Sequence, residues 1–354
     1  MAPLLKELQR REGLCSLVCV TAQHRGLLDQ VMEAFALRAD YDLDIMRAGQ
    51  SLCDITTAAL RGLDGVIQEA APDLLLVHGD TTSCLAGALA AYYHRVPLGH
   101  VEAGLRSYDR YSPFPEEMNR QLTDRLAGLL FAPTEHSRRN LLREGLPPER
   151  IFVTGNTVID ALRQTVRADF QHPALENLGE RRRLVLLTAH RRENQGEAMA
   201  HIFRAARQLA ERFPEVTILA PLHPNPAVRD CARPLLDGVP GIRVIEPPDV
   251  LSFHNLLARC ELALSDSGGV QEEAAALGVP VLVLRDTTER PEGLESGALK
   301  LVGTDEARIV REASRLLTDE AARERMRGAP NPFGDGHAAA RIADIIEAQR
   351  CCRD

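Results

Sequence analysis

Residues 264–282, which read LSDSGGVQEEAAALGVPVL, constrain the fold more than any other stretch of the chain. The apolar run at residues 261–264 predicts a buried strand, and the helix formers at 271–277 predict a helix that ends at Gly278. Residues 280–284 predict the next strand. The turn between strand and helix contains two glycines, which let another group approach the backbone closely. This order of strand, glycine turn, helix and strand is typical of an α/β domain.

The glycine turn has two interpretations. A helix N-terminus carries unpaired N–H groups and a positive dipole end, so the turn at Ser267, Gly268 and Gly269 is suited to a phosphate. Glu273, in the predicted first turn of the helix, is placed to accept hydrogen bonds from a sugar hydroxyl. Residues 265–267 are also common N-cap types, so an ordinary capped helix explains the same pattern. A lone Ser-Gly-Gly motif is weak, and both interpretations stay open.

Strands and helices alternate along nearly the whole chain. This pattern predicts an α/β fold of two doubly wound Rossmann-like domains, which face a cleft at the carboxyl ends of their strands. The predicted domains comprise residues 1–165 and 184–335, with a linker at 166–183 and a final helix and tail at 336–354. The chain opens with a predicted helix at residues 3–11, whereas a doubly wound domain usually opens with a strand and a glycine turn.

Composition limits the class of function. The 354 residues are 45% hydrophobic, enough for two domains, and the formal net charge of -8 argues against a general nucleic-acid surface. No apolar run is long enough to span a bilayer, and the charged, amphipathic start argues against a secretory signal. The eight cysteines include no C-x-x-C pair, which is typical of reduced thiols in a cytoplasmic protein. The scattered His and Cys spacing argues against a metal site.

Three carboxylate clusters fall just after predicted strands, where the cleft is expected. Asp80 is either the N-cap of the following helix, which the pattern favours, or a cleft carboxylate. Glu102 ends a strand that is otherwise apolar, so it either has a role in a site or pairs with Arg106. Glu116 and Arg120 stand one helical turn apart, so they either form a surface ion pair or belong to the site.

Two clusters in the second half of the chain carry cationic and polar groups. Residues 188–194, which include His190, have side chains suited to phosphate oxygens at a helix start, although a solvated charge run is the alternative. His223 follows another predicted strand directly. Together the clusters place carboxylates in the N-terminal half, and cations with the glycine turn in the C-terminal half. A nucleotide-sugar enzyme needs this division, with phosphates held by one domain and sugar chemistry performed by the other.

Seven motifs, taken as a set, resemble those of the non-hydrolysing UDP-N-acetylglucosamine 2-epimerases. They are residues 78–82 (HGDTT), 100–106 (HVEAGLR), 112–117 (SPFPEE), 154–157 (TGNT), 190–194 (HRREN), 265–269 (SDSGG) and 286–292 (DTTERPE). The match extends in order from the start of the chain to about residue 303, and the set is highly specific. The resemblance implies a fold like that of the GT-B glycosyltransferases, with a C-terminal helix that crosses back to the first domain.

The resemblance also implies an activity and a division of roles. The family interconverts UDP-GlcNAc and UDP-ManNAc without NAD or a metal, by eliminating UDP to give 2-acetamidoglucal and adding it back. The matching positions imply catalytic roles for Asp80, Glu102, Glu116 and His190, and substrate binding by Arg120, His223, Phe253, Ser267, Gly268, Gly269 and Glu273. Phe253 is expected near the uracil and Glu273 at the ribose. A cytoplasmic homodimer that serves cell-surface polysaccharide synthesis is expected.

The chain departs from the family pattern in two places. The family begins with a strand and a Gly-Thr-Arg-Pro-Glu turn, whereas this chain begins within the following helix, so either the true start lies upstream or this form lacks that strand and turn. The segment Gln23-His24-Arg25 resembles one that lies beside an allosteric UDP-GlcNAc in some members, yet Gly49 stands where an arginine is expected. A hydrolysing epimerase, a GT-B glycosyltransferase and an inactive nucleotide-sugar-binding protein remain alternatives.

Overall fold

The structure is a computed structural model that describes residues 1–23, 25–178 and 183–351. The chain divides into two compact units. Unit 1 comprises Met1–Ala161 together with the chain from Gly334 onward, and unit 2 comprises Leu162–Phe333. Residues 179–182 of the predicted linker, His24 of the Gln-His-Arg segment, and residues 352–354 of the predicted tail lie outside the described residues.

The described elements alternate between strand and helix over most of the chain. The strands are β1 Cys19–Val20, β2 Tyr41–Asp42, β3 Leu75–His78, β4 Leu98–Val101, β5 Leu129–Ala132, β6 Ile151–Val153, β7 Arg183–Thr188, β8 Val216–Pro221, β9 Ile242–Ile245, β10 Leu262–Ser265, β11 Val281–Val283 and β12 Leu299–Leu301. The helices are α1 Ala2–Leu8, α2 Arg25–Ala34, α3 Leu52–Ala70, α4 Thr82–Tyr93, α5 Glu116–Leu126, α6 Glu135–Arg143, α7 Thr157–Thr165, α8 Glu197–Arg212, α9 Pro226–Leu236, α10 Val250–Leu257, α11 Gly268–Ala276, α12 Pro291–Glu295, α13 Glu306–Thr318, α14 Glu320–Arg327 and α15 Ala338–Cys351.

Unit 2 is built on one parallel sheet with the strand order β12-β11-β10-β7-β8-β9. Strands β7, β8, β10 and β11 are buried almost throughout, as expected for the interior of a parallel sheet. Strand β10 lies between β7 and β11, and the last residues of β7 and β10, Thr188 and Ser265, are register partners. The segments that follow these two strands therefore begin side by side at the carboxyl edge of the sheet.

Unit 1 contains a parallel sheet in the order β3-β4-β5-β6 and a separate pair formed by β1 and β2. His78 at the end of β3 is the register partner of Val101 at the end of β4. Asp80 and Glu102 follow these residues closely, so both lie at the carboxyl edge of adjacent strands. Polar groups at this edge are typical of ligand sites in α/β folds.

The C-terminal helix packs within unit 1, as the resemblance predicted. Leu4 and Leu8 of α1 form a buried cluster with Ile342 and Ile346 of α15. The buried Asp160 carboxylate accepts hydrogen bonds from the backbone N–H groups of residues 338 and 339, at 3.2 and 2.9 Å, at the start of α15. A carboxylate at a helix N-terminus is stabilised by the unpaired amides and the helix dipole.

The α/β class and the parallel sheets confirm the predicted fold class, whereas several element boundaries differ. The strand predicted at residues 16–21 pairs as β1 over two residues only. Strand β2 and helices α7 and α12 were not predicted, since each is short or lies in a polar segment. Helix α11 begins at Gly268 rather than at residue 271, so both glycines lie in its first turn. Among the described residues, no helix is long and apolar enough to cross a membrane.

Helix α3 offers a stability prediction, since it contains Gly65 at an exposed position. The described part of the chain places no atom within 4 Å of a Cβ built there. We expect Gly65→Ala to raise the free energy of unfolding by about 0.5–1 kcal/mol, because alanine restricts the unfolded chain and favours the helix. A Cβ at Gly62 of the same helix lies 2.8 Å from Leu43 Cδ1, so Gly62→Ala is expected to give no such gain. Thermal unfolding of both variants tests this expectation. A melting temperature of Gly65→Ala below that of the wild type would contradict it.

Candidate active site

Asp80, Glu102 and Arg120 form an ion cluster in unit 1, in which the arginine is buried and both carboxylates are partly exposed. The Arg120 Nη2 atom lies 2.5 Å from Asp80 Oδ2 and 3.2 Å from Glu102 Oε2, and Nη1 donates to the Glu102 carbonyl oxygen. Burial lowers the pKa of Arg120, but the Asp80 and Glu102 carboxylates outweigh burial and raise it above its ordinary value. One guanidinium thus holds two of the predicted catalytic carboxylates together.

Asp80 is not the helix cap that the sequence pattern favoured. The N-cap of α4 is Thr81, whose hydroxyl accepts a hydrogen bond from the Cys84 N–H. The Asp80 side chain instead contacts Arg120, and its carbonyl oxygen accepts a hydrogen bond from Asn119 Nδ2 at 2.9 Å. The capping prediction was wrong because Thr81, the next residue, supplies the cap.

Glu102 does not pair with Arg106, which was the structural alternative. Arg106 contacts Asp124 and Glu144, each at 2.7 Å, whereas Glu102 contacts Arg120. Glu102 also accepts a hydrogen bond from Asn156 Nδ2 at 3.2 Å and has a positive φ of 69°. An unusual backbone angle at a non-glycine residue is common at functional sites, because the surrounding contacts must enforce it.

Glu116 opens helix α5 and is half-buried. The surface ion pair with Arg120, one of the two alternatives, is not formed: among the described residues, Arg120 forms ion pairs with Asp80 and Glu102, which follow β3 and β4. Glu117, the next residue, is buried and accepts hydrogen bonds from the backbone of Ser107 and Tyr108. Helical spacing places Glu116 on the face of α5 that carries Arg120, and its catalytic role stays a prediction.

The glycine turn of unit 2 is covered by an arginine that the sequence analysis did not single out. A Cβ built at Gly268 lies 2.5 Å from Arg290 Nη1, and Arg290 Nε lies 2.5 Å from Glu272 Oε1 on helix α11. A guanidinium therefore lies against the first turn of α11, beside its amides, where an anion is favoured. Arg290 is the single cation in the motif at residues 286–292, and this was the sequence signal that could have identified it as a phosphate contact.

Asp266 organises the segment that carries His190, rather than capping helix α11. Its carboxylate is fully buried and accepts hydrogen bonds from the backbone N–H groups of His190 and Arg191 and from Asn194 Nδ2, all within 3.1 Å. Because β7 and β10 are neighbours, the residue after β10 lies beside the segment after β7. Asp266 is of a residue type common at helix N-caps, and the local sequence offered no signal for this positioning role.

His190 and His223 stack on each other, with ring centroids 5.3 Å apart and an angle of 24° between the planes. Burial and the neighbouring His223 and Arg191 lower the pKa of His190 below its ordinary value, although Asp266 acts in the opposite direction. His223 Nδ1 accepts a hydrogen bond from the Asn225 N–H at 3.1 Å. His190 is therefore neutral near pH 7, where it can donate from one ring nitrogen to a phosphate oxygen.

Glu273 lies in the second turn of α11, not the first as predicted, and its side chain approaches helix α10. Its Oε1 atom is 3.5 Å from His254 Nε2, and His254 Nδ1 is 2.7 Å from the Thr165 hydroxyl. Phe253 precedes His254 on α10 and is half-buried. Among residues 1–23, 25–178 and 183–351, no group of three His, Cys, Asp or Glu side chains is arranged to hold a metal ion.

Polar side chains after the ends of parallel strands are typical of ligand-binding α/β enzymes, and a helix N-terminus beside an arginine is suited to a phosphate. Residues 6–347 match the family model described as UDP-N-acetylglucosamine 2-epimerase. A Bacillus subtilis protein named UDP-N-acetylglucosamine 2-epimerase is 52% identical over 346 residues, covering 98% of this chain and 91% of its own length. The chain therefore belongs to the UDP-N-acetylglucosamine 2-epimerase family, which confirms the predicted resemblance.

Solved structures of the family are similar over nearly the whole chain. The Neisseria meningitidis UDP-GlcNAc 2-epimerase bound to UDP-GlcNAc is 45% identical, has a TM-score of 0.93, and matches 98% of this chain and 96% of its own. The Methanocaldococcus jannaschii UDP-GlcNAc 2-epimerase, in complex with UDP-GlcNAc and UDP, is 34% identical, has a TM-score of 0.83, and matches 98% of this chain and 95% of its own.

Proposed function

We propose that this chain interconverts UDP-GlcNAc and UDP-ManNAc by eliminating UDP and adding it back on a 2-acetamidoglucal intermediate. The observation that carries the proposal is the pair of carboxylates, Asp80 and Glu102, held by Arg120 at the ends of adjacent strands. Family membership supports the substrate, since the Neisseria meningitidis relative is bound to UDP-GlcNAc and the Methanocaldococcus jannaschii relative to UDP-GlcNAc and UDP.

The first half of the reaction breaks the C2–H and C1–O bonds and forms two others, an O–H bond on a carboxylate and the C1–C2 double bond. A carboxylate takes the proton from C2, the C1–O bond breaks with its electron pair on the β-phosphate oxygen of UDP, and a C1–C2 double bond forms. A proton beside an acetal carbon is barely acidic, so cleavage of the C1–O bond leads and positive charge develops at C1 and the ring oxygen. Negative charge on Asp80, Glu102 or Glu116 stabilises that charge.

The second half returns a proton to the opposite face of C2, while a UDP oxygen attacks C1. A change of configuration needs proton donors or acceptors on both faces of the sugar, and a single carboxylate reaches only one face. The structure holds Asp80 and Glu102 together, and Glu116 lies on the helix that also carries Arg120. We assign the proton transfers to these three carboxylates.

The diphosphate is assigned to the first turn of α11 in unit 2. The amides at Gly268 and Gly269 and the Arg290 guanidinium favour an anion there, and His190 supplies a neutral donor. Stabilising the leaving diphosphate lowers the barrier to C1–O cleavage, because charge develops on it in the transition state. Glu273 is assigned to the ribose hydroxyls and Phe253 to the uracil ring. His223 orients His190 by stacking.

The proposed reaction predicts a simple product pattern from UDP-GlcNAc alone. We expect proton NMR to show UDP-ManNAc growing to a constant ratio with UDP-GlcNAc, with no continuing release of free sugar. Release of free ManNAc and UDP would identify a hydrolysing epimerase instead. UDP binding with no product at any enzyme concentration would overturn the proposal and favour a nucleotide-sugar-binding protein.

We further propose that the protein acts as a homodimer in the cytoplasm. The resemblance to the family supports the dimer, and cysteines without C-x-x-C spacing are typical of a reducing compartment. Sedimentation velocity of the 38.9 kDa chain measures the assembly directly. A single species at the monomer mass across the concentration range would contradict the dimer.

A further inference from the structure

His100, in strand β4, is a fully buried ionisable group close to the cluster of Asp80, Glu102 and Arg120. Its side chain has no solvent exposure, and both of its ring nitrogens contact an acceptor. Nδ1 lies 2.6 Å from Asp124 Oδ1, and Nε2 lies 2.7 Å from the Gly79 carbonyl oxygen. A carbonyl oxygen can only accept, so Nε2 must carry a proton.

The partners of Asp124 place a second proton on the ring. The other carboxylate oxygen, Oδ2, accepts from the Gly104 N–H at 3.2 Å and lies 2.7 Å from Arg106 Nη2. Burial raises the pKa of Asp124, but His100 and Arg106 outweigh burial and hold it below its ordinary value, so the carboxylate is ionised and Nδ1 donates to Oδ1. His100 therefore donates from both nitrogens, which only the imidazolium form can do.

Electrostatics favours the same protonation state. The charged and titratable groups that face His100 are His78 on β3, Cys84 on α4, Arg106 after β4, and Asp124 with Arg120 on α5. Burial lowers the pKa of His100, but the charge and hydrogen bond of Asp124 outweigh burial, and the resulting pKa is about 10.

The Gly79 carbonyl that His100 holds belongs to the peptide leading into Asp80. Gly79 has a φ of +77°, and its N–H donates to the Val101 carbonyl oxygen at 3.1 Å. Its carbonyl oxygen also accepts from Cys84 Sγ at 3.3 Å. Rotation of this peptide would turn Asp80 away from Arg120, so the bond from His100 fixes the direction of a candidate catalytic carboxylate.

We propose that His100 is a positioning residue for the reaction, a permanently charged imidazolium that holds the Gly79 carbonyl and thereby aims the Asp80 carboxylate. The proposal rests on the proposed function, and His100 itself does not touch the substrate. The charge is balanced within the fold, since His100 and Arg106 face Asp124, and Arg106 also contacts Glu144 at 2.7 Å. A buried charge persists only when it is paired in this way.

Two substitutions separate the two hydrogen bonds of His100. An asparagine amide reaches about as far as Nδ1, so His100→Asn keeps a donor toward Asp124 and loses the one toward Gly79. A glutamine amide reaches about as far as Nε2, so His100→Gln restores the donor toward Gly79. We expect His100→Asn to lower kcat about 10- to 100-fold with little change in KM, because a displaced catalytic group costs rate rather than ground-state binding. His100→Gln should recover most of that loss.

The control is Glu144→Gln, at the outer end of the same network and remote from Gly79. It should change thermal stability without changing kcat. Equal loss of kcat in the asparagine and glutamine variants, or wild-type kcat in His100→Asn, overturns the proposal. Wild-type protein assayed in parallel separates failure of the His100 proposal from failure of the proposed function, because an inactive wild type refutes the proposed function itself.

A measurement on the wild-type protein tests the protonation state directly, and the His100→Gln variant assigns the signals. We expect two downfield imidazole N–H resonances that persist from pH 6 to pH 9 and that disappear in His100→Gln. A single N–H resonance, or a pair lost near the ordinary histidine pKa, overturns the proposal.

The pH dependence of stability gives an independent readout. The folded pKa of about 10 lies above the unfolded value, so the contribution of His100 is complete below about pH 6.5 and is lost as the pH rises through 10. Between these pH values, the ratio of folded to unfolded protein is compared for the wild type and His100→Gln. The factor by which the wild-type ratio exceeds that of the variant should fall by up to about tenfold per pH unit. A difference that stays constant with pH contradicts a raised pKa.

Discussion

Glu102→Gln should abolish most of the epimerase turnover while UDP binding is retained. The amide keeps the size of the side chain, and its oxygen can still accept a hydrogen bond from Arg120. Its NH2 group would face the Asn156 amide donor, and it cannot take or return a proton. General acid–base groups contribute about 10²- to 10⁴-fold in rate, and we expect a loss of kcat in that range. Binding should persist because the diphosphate is assigned to unit 2, where Glu102 takes no part.

The measurement pairs kcat from NMR with the Kd for UDP from calorimetry. Glu149→Gln is the matched control, since Glu149 is an exposed glutamate of the same unit and should behave as wild type. Wild-type turnover in Glu102→Gln would remove this carboxylate from the mechanism. Parallel loss of turnover, UDP binding and thermal stability would instead indicate a damaged fold.

Gly268→Val is expected to weaken UDP binding severely while unit 2 stays folded. A Cβ at this position lies 2.5 Å from Arg290 Nη1 and 2.8 Å from Arg290 Cζ, so the guanidinium must leave the first turn of α11. Displacing the guanidinium breaks its ion pair with the buried Glu272 carboxylate, which costs stability, and its contact with the diphosphate is lost as well. Charge-assisted hydrogen bonds contribute about 1.5–3 kcal/mol, which corresponds to roughly 10- to 150-fold in Kd. The branched side chain also occupies the space that a phosphate needs.

Arg290→Gln distinguishes the displaced cation from the blocked space. If Gly268→Val acts mainly through Arg290, the two single variants should weaken UDP binding to a similar extent and the double variant should add little. Gly65→Ala, in a helix of unit 1, controls for glycine replacement and should leave the Kd unchanged. An unchanged Kd in Gly268→Val would exclude this turn as the phosphate site.

The sequence predicted what local patterns and chain order can specify. The sequence predicts a strand at residues 242–245 and a helix at residues 250–257, and β9 and α10 have these bounds. The glycine turn between β10 and α11 lies where the apolar run and the helix formers place it. Residues that follow strand ends were expected at one edge of a sheet. Asp80 and Glu102 meet there because their strands are neighbours.

Partners distant in sequence were the part that local patterns could not specify. Helical spacing offered Glu116, four residues before Arg120, as one candidate partner, but Arg120 contacts Asp80 and Glu102, 40 and 18 residues away. Asp266 resembles a helix cap until strand order places the segment of His190 beside it. Local spacing indicates a possible partner nearby in the sequence for each of these charged residues. The tertiary packing determines the actual partner, which is distant in the sequence for both Arg120 and Asp266.

Deuterium exchange at C2 tests the central claim most directly. The protein is incubated with UDP-GlcNAc alone in deuterated water, and NMR follows the C2 proton of both nucleotide sugars. Proton removal and return by solvent-exchanging carboxylates predicts deuterium at C2 of UDP-ManNAc and, as the reaction reverses, of UDP-GlcNAc. UDP-ManNAc that forms with its C2 proton retained, or the absence of both product and exchange in protein that binds UDP-GlcNAc, would contradict the account.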